Sequence, residues 1–178
     1  MAKLMVHGTT ARECLARGVA RLAAAVEPTL GPKGLNAMID RPVGTPLVTR
    51  DGVSIACEIE LSDRFENMGA QVVREVSMQT NDVAGDGTTT AIVLANALIQ
   101  KGVELAKTGV KPVDLCKGID LAVQEIIKAI DASSRDCEAH PEYLEAVAQV
   151  SATDPTLGAL VAEAFRRVGK SGVISADF

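Results

Sequence analysis

The sequence predicts a mainly α-helical fold with one small β-hairpin. Three observations predict it. Apolar residues recur at helical spacing through several long segments. Two short apolar runs flank a link rich in Pro and Gly, the pattern of a hairpin. Hydrophobic residues make up 47% of the chain but aromatics only 2%. The core must therefore be built from Val, Leu, Ile and Ala.

Residues 1–8 read as a short strand or arm. Thr10 and Glu13 have the spacing of a capping box, a hydroxyl followed three residues later by a carboxylate. The helix after it carries Ala11, Leu15, Val19, Leu22 and Val26 on one face, and Pro28 and Gly31 stop it. A glycine loop with a cation follows, Thr29-Leu30-Gly31-Pro32-Lys33-Gly34. Asn36 to Asp40 and Leu47 to Thr49 read as strands joined by Arg41-Pro42-Val43-Gly44-Thr45-Pro46. Thr49-Arg50-Asp51-Gly52 closes that hairpin with an acid and a glycine.

Ser62 is placed to cap the next helix, with Phe65, Met68, Val72, Val76 and Val83 on its apolar face. Met68 and Met78 read as core or near-core residues. A helix from Thr88 to about Lys107 is apolar nearly all round, which predicts burial in the middle of a domain. Pro112 suits the first position of a helix whose stripe is Leu115, Ile119, Val123, Ile126 and Ile130. The polar stretch from Ser133 to His140 is the predicted domain boundary. Two shorter helices start near Pro141 and Pro155, the second capped by Asp154. Val173-Ile174-Ser175 reads as the start of a strand.

The richest chemistry lies at Ala84-Gly85-Asp86-Gly87-Thr88-Thr89-Thr90. Gly85 and Gly87 allow a sharp turn and a close approach to a ligand. Asp86 is placed to cap the helix that begins at Thr88. The first turn then presents unpaired N–H groups and the positive end of the helix dipole, a site for phosphate. A carboxylate there suits Mg²⁺ carried on a polyphosphate better than a bare anion. Asp51 has two readings, a turn aspartate or an acid that folds beside Asp86 to orient metal or water; spacing alone leaves both open.

Other features exclude function classes. A net charge of −5 and the scarcity of aromatics argue against nucleic-acid binding. The longest apolar run, Ala91 to Ile99, is too short to span a bilayer, and the start of the chain lacks the apolar stretch of a signal peptide. Cys14, Cys57, Cys116 and Cys137 form no CxxC pair, which predicts buried free thiols in a reducing compartment. His7 and His140 have no companion nucleophile, so no catalytic triad is supported. Gly169-Lys170-Ser171 imitates the end of a Walker A loop but follows a helix and reads as its C-cap.

Four blocks stand in order: Thr29-Leu30-Gly31-Pro32-Lys33-Gly34, Arg50-Asp51-Gly52-Val53-Ser54, Phe65-Glu66-Asn67-Met68-Gly69-Ala70 and Gly85-Asp86-Gly87-Thr88-Thr89-Thr90. Together they resemble the group I chaperonins of the GroEL type, over essentially the whole chain from about Ala11 to Ile174. The resemblance implies the helical bundle of a chaperonin equatorial domain over residues 1–132. It implies the start of the intermediate hinge domain over 133–178. It also implies an ATPase that uses Mg²⁺ and admits K⁺, assembled as a double ring of heptamers. Its partners would be unfolded client proteins and a co-chaperonin, in the bacterial cytoplasm. On this resemblance Thr29, Leu30, Gly31, Pro32, Arg50, Gly85, Asp86, Gly87, Thr88, Thr89 and Thr90 hold the nucleotide. Asp86 would ligate Mg²⁺, and Asp51 would help orient the attacking water.

The family usually has Lys where this chain has Arg50, which keeps the charge and changes the geometry. Family chains are also much longer. They carry a client-binding apical domain, a hinge with a catalytic aspartate and a second half of the equatorial domain. Cys116, Cys137 and the segment Glu138-Ala139-His140-Pro141-Glu142-Tyr143 are less typical and suggest a divergent paralogue with a dedicated client. Two other function classes compete. A small kinase would need an acid/base pair, and only Asp51 is on offer. A non-catalytic nucleotide-binding or oligomerisation module is distinguished by titration with nucleotide.

Overall fold

Small residues decide where the helices of this chain meet. In the computed structural model, which describes residues 3–42, 44–137, 140–152, 154–169 and 172–175, the elements run in a simple order. Helix α1 (Gly8–Val26) runs into a 3₁₀ turn (Glu27–Thr29), then strands β1 (Ala37–Ile39) and β2 (Leu47–Thr49). Helices α2 (Gly52–Glu58), α3 (Arg64–Ala84), α4 (Thr88–Lys107), α5 (Pro112–Ser133), α6 (Pro141–Ala152) and α7 (Pro155–Val168) follow. The chain forms two compact units, Met1–Ile119 and Asp120–Phe178, and the division falls within α5.

The core of the first unit joins Val19, Leu22, Ala23 and Val26 of α1 to Ile55, Ala56, Ala70, Val73 and Ile92. It is wholly aliphatic, as the composition requires. The α1–α3 crossing is the closest approach within it. A Cβ on Gly18 would lie 1.8 Å from the Glu66 carbonyl oxygen, and one on Gly69 would lie 2.1 Å from that of Leu15. Arg17 and Arg21 flank Gly18 on α1 and pair with the buried Glu66 carboxylate at 2.9 and 3.1 Å.

That crossing corrects the expected face of α3. Glu66, Gly69, Ala70, Val73 and Ser77 are the buried residues. Met68, Val72, Met78 and Val83 are exposed, so the methionines are not core residues. Backbones this close leave room only for small side chains, whereas large apolar residues had marked the other face. The cap of α3 is Asp63, not Ser62; its carboxylate accepts from the N–H groups of Phe65 and Glu66 at 2.9 Å each.

Helix α1 begins before the expected capping box. Its N-cap is His7, with no side-chain cap, and Thr10 lies inside the helix. Glu13 instead pairs with Lys107 of α4 at 2.7 Å. The Lys107 ammonium holds the Glu13 carboxyl below its ordinary range. Helix α4 has the expected bounds but not the expected burial. Only Thr88 and Ile92 are buried in it, and Leu94 and Leu98 are exposed, because α1, α2 and α3 pack on one side alone. The stripe on α5 is likewise exposed at Ile119, Val123, Ile126 and Ile130.

The hairpin pairs Ala37 with Thr49, Met38 with Val48 and Ile39 with Leu47. Ala37 and Ile39 pack on the core while Met38 and Val48 face outward, the strict alternation of a strand. Within the second unit α6 packs on α7. Asp154 caps α7 by accepting from Thr156 N–H at 2.7 Å and Leu157 N–H at 3.1 Å. Gly169 is the C-cap of α7, its N–H donating to the Phe165 carbonyl at 2.8 Å. Lys170 and Ser171, and Val43 and Glu138-Ala139 earlier in the chain, lie outside the described residues. Residues 3–7 form no strand, which leaves the arm of the two N-terminal readings, and residues 172–175 form none, which corrects the strand expected at Val173. The four cysteines are free, but Cys57, Cys116 and Cys137 are exposed and Cys14 is half-buried, so they are not the expected core thiols.

Candidate functional site

Helix α2 has no counterpart in the sequence expectation, which ended the hairpin at Gly52. It changes what Asp51 does. Asp51 is the N-cap of α2: its Oδ2 accepts from the Ser54 N–H at 3.0 Å and from the Ser54 hydroxyl. The other carboxylate oxygen has no partner among the described residues. An Asp three positions before a Ser, ahead of an apolar run, was the available signal for this short helix.

Asp86 also differs from expectation. The N-cap of α4 is Gly87, and no side chain caps that helix. The Asp86 Oδ1 accepts from the adjacent Gly87 N–H at 2.6 Å instead. Gly85, the C-cap of α3, and Gly87 both have positive φ, 68° and 83°. Two left-handed residues in three turn the chain from the end of α3 into the start of α4, and glycine adopts that conformation without strain. With no side-chain cap, the first-turn N–H groups of α4 remain available to a ligand.

Both aspartates line one open cavity of about 250 Å³. Thr29, Leu30, Gly31, Arg50, Gly52, Gly87, Thr88, Thr89 and Thr90 complete its wall. The structure thus brings together nearly all of the expected site residues. Pro32 and Gly85 stand outside the lining. Gly52 belongs to it and was not anticipated as a site residue. The Thr29 hydroxyl is committed to the Val26 carbonyl at 2.8 Å, so it can offer a ligand only its acceptor lone pairs. The Arg50 guanidinium reaches the Gly34 carbonyl at 3.4 Å and supplies the wall with a cation.

Packing explains how segments so far apart in sequence meet. Helix α1 delivers the 27–31 turn, the α1–α3 crossing fixes the end of α3, and α2 and α4 start side by side. The donor set is two carboxylates with one oxygen each to spare, threonine hydroxyls, backbone N–H groups and one arginine. Such a set fits a polyphosphate carrying Mg²⁺, which takes one or two carboxylates and completes its octahedron with phosphate oxygens and water. Among the described residues no group of three or more His, Cys, Asp or Glu could hold a metal by itself. No helix among them is long and apolar enough to cross a membrane.

Residues 22–175 match the TCP-1/cpn60 chaperonin family. The chain is 62% identical over all 178 residues to chaperonin GroEL 4 of Bradyrhizobium diazoefficiens, and it spans 33% of that relative's length. With the family match over most of the chain, the chain belongs to the TCP-1/cpn60 chaperonin family and corresponds to the N-terminal portion of a group I chaperonin.

Proposed function

We propose that this chain is the Mg–ATP-binding portion of an ATP-dependent protein-folding chaperonin subunit. One observation carries the reading: Asp51 and Asp86, 35 positions apart in sequence, line the same cavity as the uncapped start of α4. The N–H groups of the first α4 turn and the Thr88–Thr90 hydroxyls bind phosphate oxygens. Leu30, Gly31 and Arg50 line the same cavity. The spare oxygen of Asp86 ligates the cation, and that of Asp51 orients a water molecule toward the terminal phosphate. Mg²⁺, when bound, neutralises polyphosphate charge, and phosphoryl transfer to water then depends on positioning and electrostatics.

In this reading residues 1–132 belong to the equatorial domain and 133–178 begin the hinge. Nucleotide binding biases the conformation of a ring, a double ring of heptamers in the bacterial cytoplasm, that acts on unfolded client proteins with a co-chaperonin. K⁺ is an additional candidate ion.

The test is a calorimetric titration with a non-hydrolysable ATP analogue, in Mg²⁺ and in EDTA. Asp86→Ala is predicted to abolish the Mg²⁺-dependent part of binding, a loss of at least about tenfold in affinity, or roughly 1.4 kcal/mol. Helix content by circular dichroism stays near that of the unmodified chain, since Asp86 bonds only to its neighbour. Unchanged Mg²⁺-dependent affinity would make Asp86 a turn residue and remove the metal assignment.

A further inference from the structure

We propose that α2 is a strut that places Asp51, and that Gly52 and Arg74 are the positioning residues that set it. The proposal deepens the Mg–ATP reading above and takes its ligand from that reading. Gly52 is buried where the start of α2 meets the start of α4. A Cβ there would lie 2.4 Å from the Thr89 Oγ1, 2.9 Å from its amide nitrogen and 3.0 Å from its Cα. Gly52 opens a right-handed helix, so no unusual backbone conformation calls for glycine at this position. The missing side chain serves spacing alone. A methyl group at Gly52 must push the α2 start away from Thr89, and with it Asp51, whose carboxylate is tied into the first turn through Ser54.

The other end of α2 is held from α3. Arg74 donates its Nε to the Ala56 carbonyl at 3.0 Å and its Nη2 to the Ile59 carbonyl. A helix of seven residues leaves most of its carbonyls without intrahelical partners. The planar guanidinium takes one of these acceptors, that of Ala56, together with the carbonyl of the C-cap Ile59, which a lysine ammonium on a flexible stem does not reproduce. Ile55 and Ala56 anchor the middle of α2 in the core. Arg74 does not line the cavity, so any effect of Arg74 on ligand binding passes through α2.

The experiment compares the unmodified chain with Gly52→Ala, Arg74→Lys and, as a control, Gly102→Ala, where an added Cβ meets nothing within 4 Å. Hydrogen exchange without nucleotide is read over residues 51–58 and 8–26. ATP affinity is then read with and without Mg²⁺. Gly52→Ala and Arg74→Lys are expected to raise exchange over 51–58 and leave 8–26 unchanged. Both are expected to reduce the Mg²⁺-dependent gain in affinity by about tenfold or more, because Asp51 is the second carboxylate that this donor set offers to Mg²⁺ and its water shell. Arg74→Lys keeps its Mg²⁺-free affinity, and Gly102→Ala changes neither reading. Faster exchange over 51–58 with the Mg²⁺-dependent gain intact in both variants would overturn the proposal, because α2 would then be a tether of no consequence to Asp51. So would unchanged exchange over 51–58. If the unmodified chain shows no Mg²⁺-dependent gain, the Mg–ATP reading fails. Faster exchange over 51–58 in the two variants then still supports the strut, and unchanged exchange overturns both.

Discussion

Gly18→Ala is predicted to be among the most damaging single-methyl additions in this chain. A methyl carbon settles at about 3.5 Å from a neighbouring heavy atom, but a Cβ at Gly18 would stand 1.8 Å from the Glu66 carbonyl oxygen. That oxygen belongs to the α3 backbone and cannot rotate away. The two helices would have to part by roughly 1.5 Å to restore contact distance, opening a crossing that now buries Val19, Leu22, Ala70 and Val73. Overpacking costs about 1–3 kcal/mol in ordinary cores, and backbone against backbone belongs at or above the top of that range. Helix propensity works the other way, favouring Ala over Gly by about 0.5–1 kcal/mol. The expected net loss is therefore about 2 kcal/mol or more. Gly102→Ala has the propensity term without the clash and is expected to gain about 0.5–1 kcal/mol. Urea unfolding followed by circular dichroism gives both values. Gly18→Ala and Gly102→Ala of equal stability, with equal slopes, would refute the claim that the α1–α3 spacing depends on glycine.

Arg50→Lys is predicted to be tolerated in nucleotide titration, since charge at the cavity wall is retained; a large loss of affinity would mean that Arg50 makes a bidentate contact beyond the long bond to Gly34. The N–H groups of Leu157 and Thr156 hold the Asp154 carboxyl below its ordinary value of 3.8. Its contribution to α7 is thus complete above that value and is lost as pH falls through the lower, folded-state value. Asp154→Asn keeps the cap and is expected to flatten this acid branch in thermal melts between pH 6 and pH 2; an unchanged branch would reassign it to other carboxylates. The chain by itself is predicted to self-associate, because Leu94 and Leu98 of α4 and the apolar stripe of α5 are exposed, and to show no sustained ATP turnover, because Asp51 and Asp86 stand here without the catalytic hinge aspartate that family chains carry. Sedimentation and a phosphate-release assay check both, and a monodisperse monomer with steady hydrolysis would contradict them.

The elements legible in the sequence were those with punctuation. Pro112, Pro141 and Pro155 mark helix starts, Asp154 caps α7, and Gly169 ends it. The hairpin was legible because Pro and Gly punctuate the link between its two apolar runs. Helix faces were less so. Hydrophobicity pointed to Met68, Val72 and Val83, whereas close backbone contact selects Gly69, Ala70 and Ser77. Large side chains carry the stronger signal and small ones the tighter packing. For the site, the glycine loops and both aspartates were visible as residue types, but not what each bonds to. Asp51 caps a helix too short to show a period, and Asp86 turns its carboxylate to the next N–H group instead of capping α4. Gly52 carries no chemistry, and only the approach of Thr89 reveals its place.

The hairpin also determines where the chain can change length. Strand β2 ends at Thr49, and only Arg50 separates it from Asp51. A one-residue insertion at Arg50 would turn one side of that junction over or advance Asp51 by about 3.3 Å, the rise of a strand. A two-residue shift of register would keep Ala37 and Ile39 on the core but carry the acid about 6.6 Å along the strand. Neither leaves Asp51 beside the α4 start. Beyond Arg41, which pairs with Glu58 of α2, the link between β1 and β2 has no such duty, because pairing across the strands absorbs whatever lies in it. Insertions and deletions should therefore accumulate at 42–46 and be absent from 49–52, making the hairpin a ruler with one fixed end and one variable end.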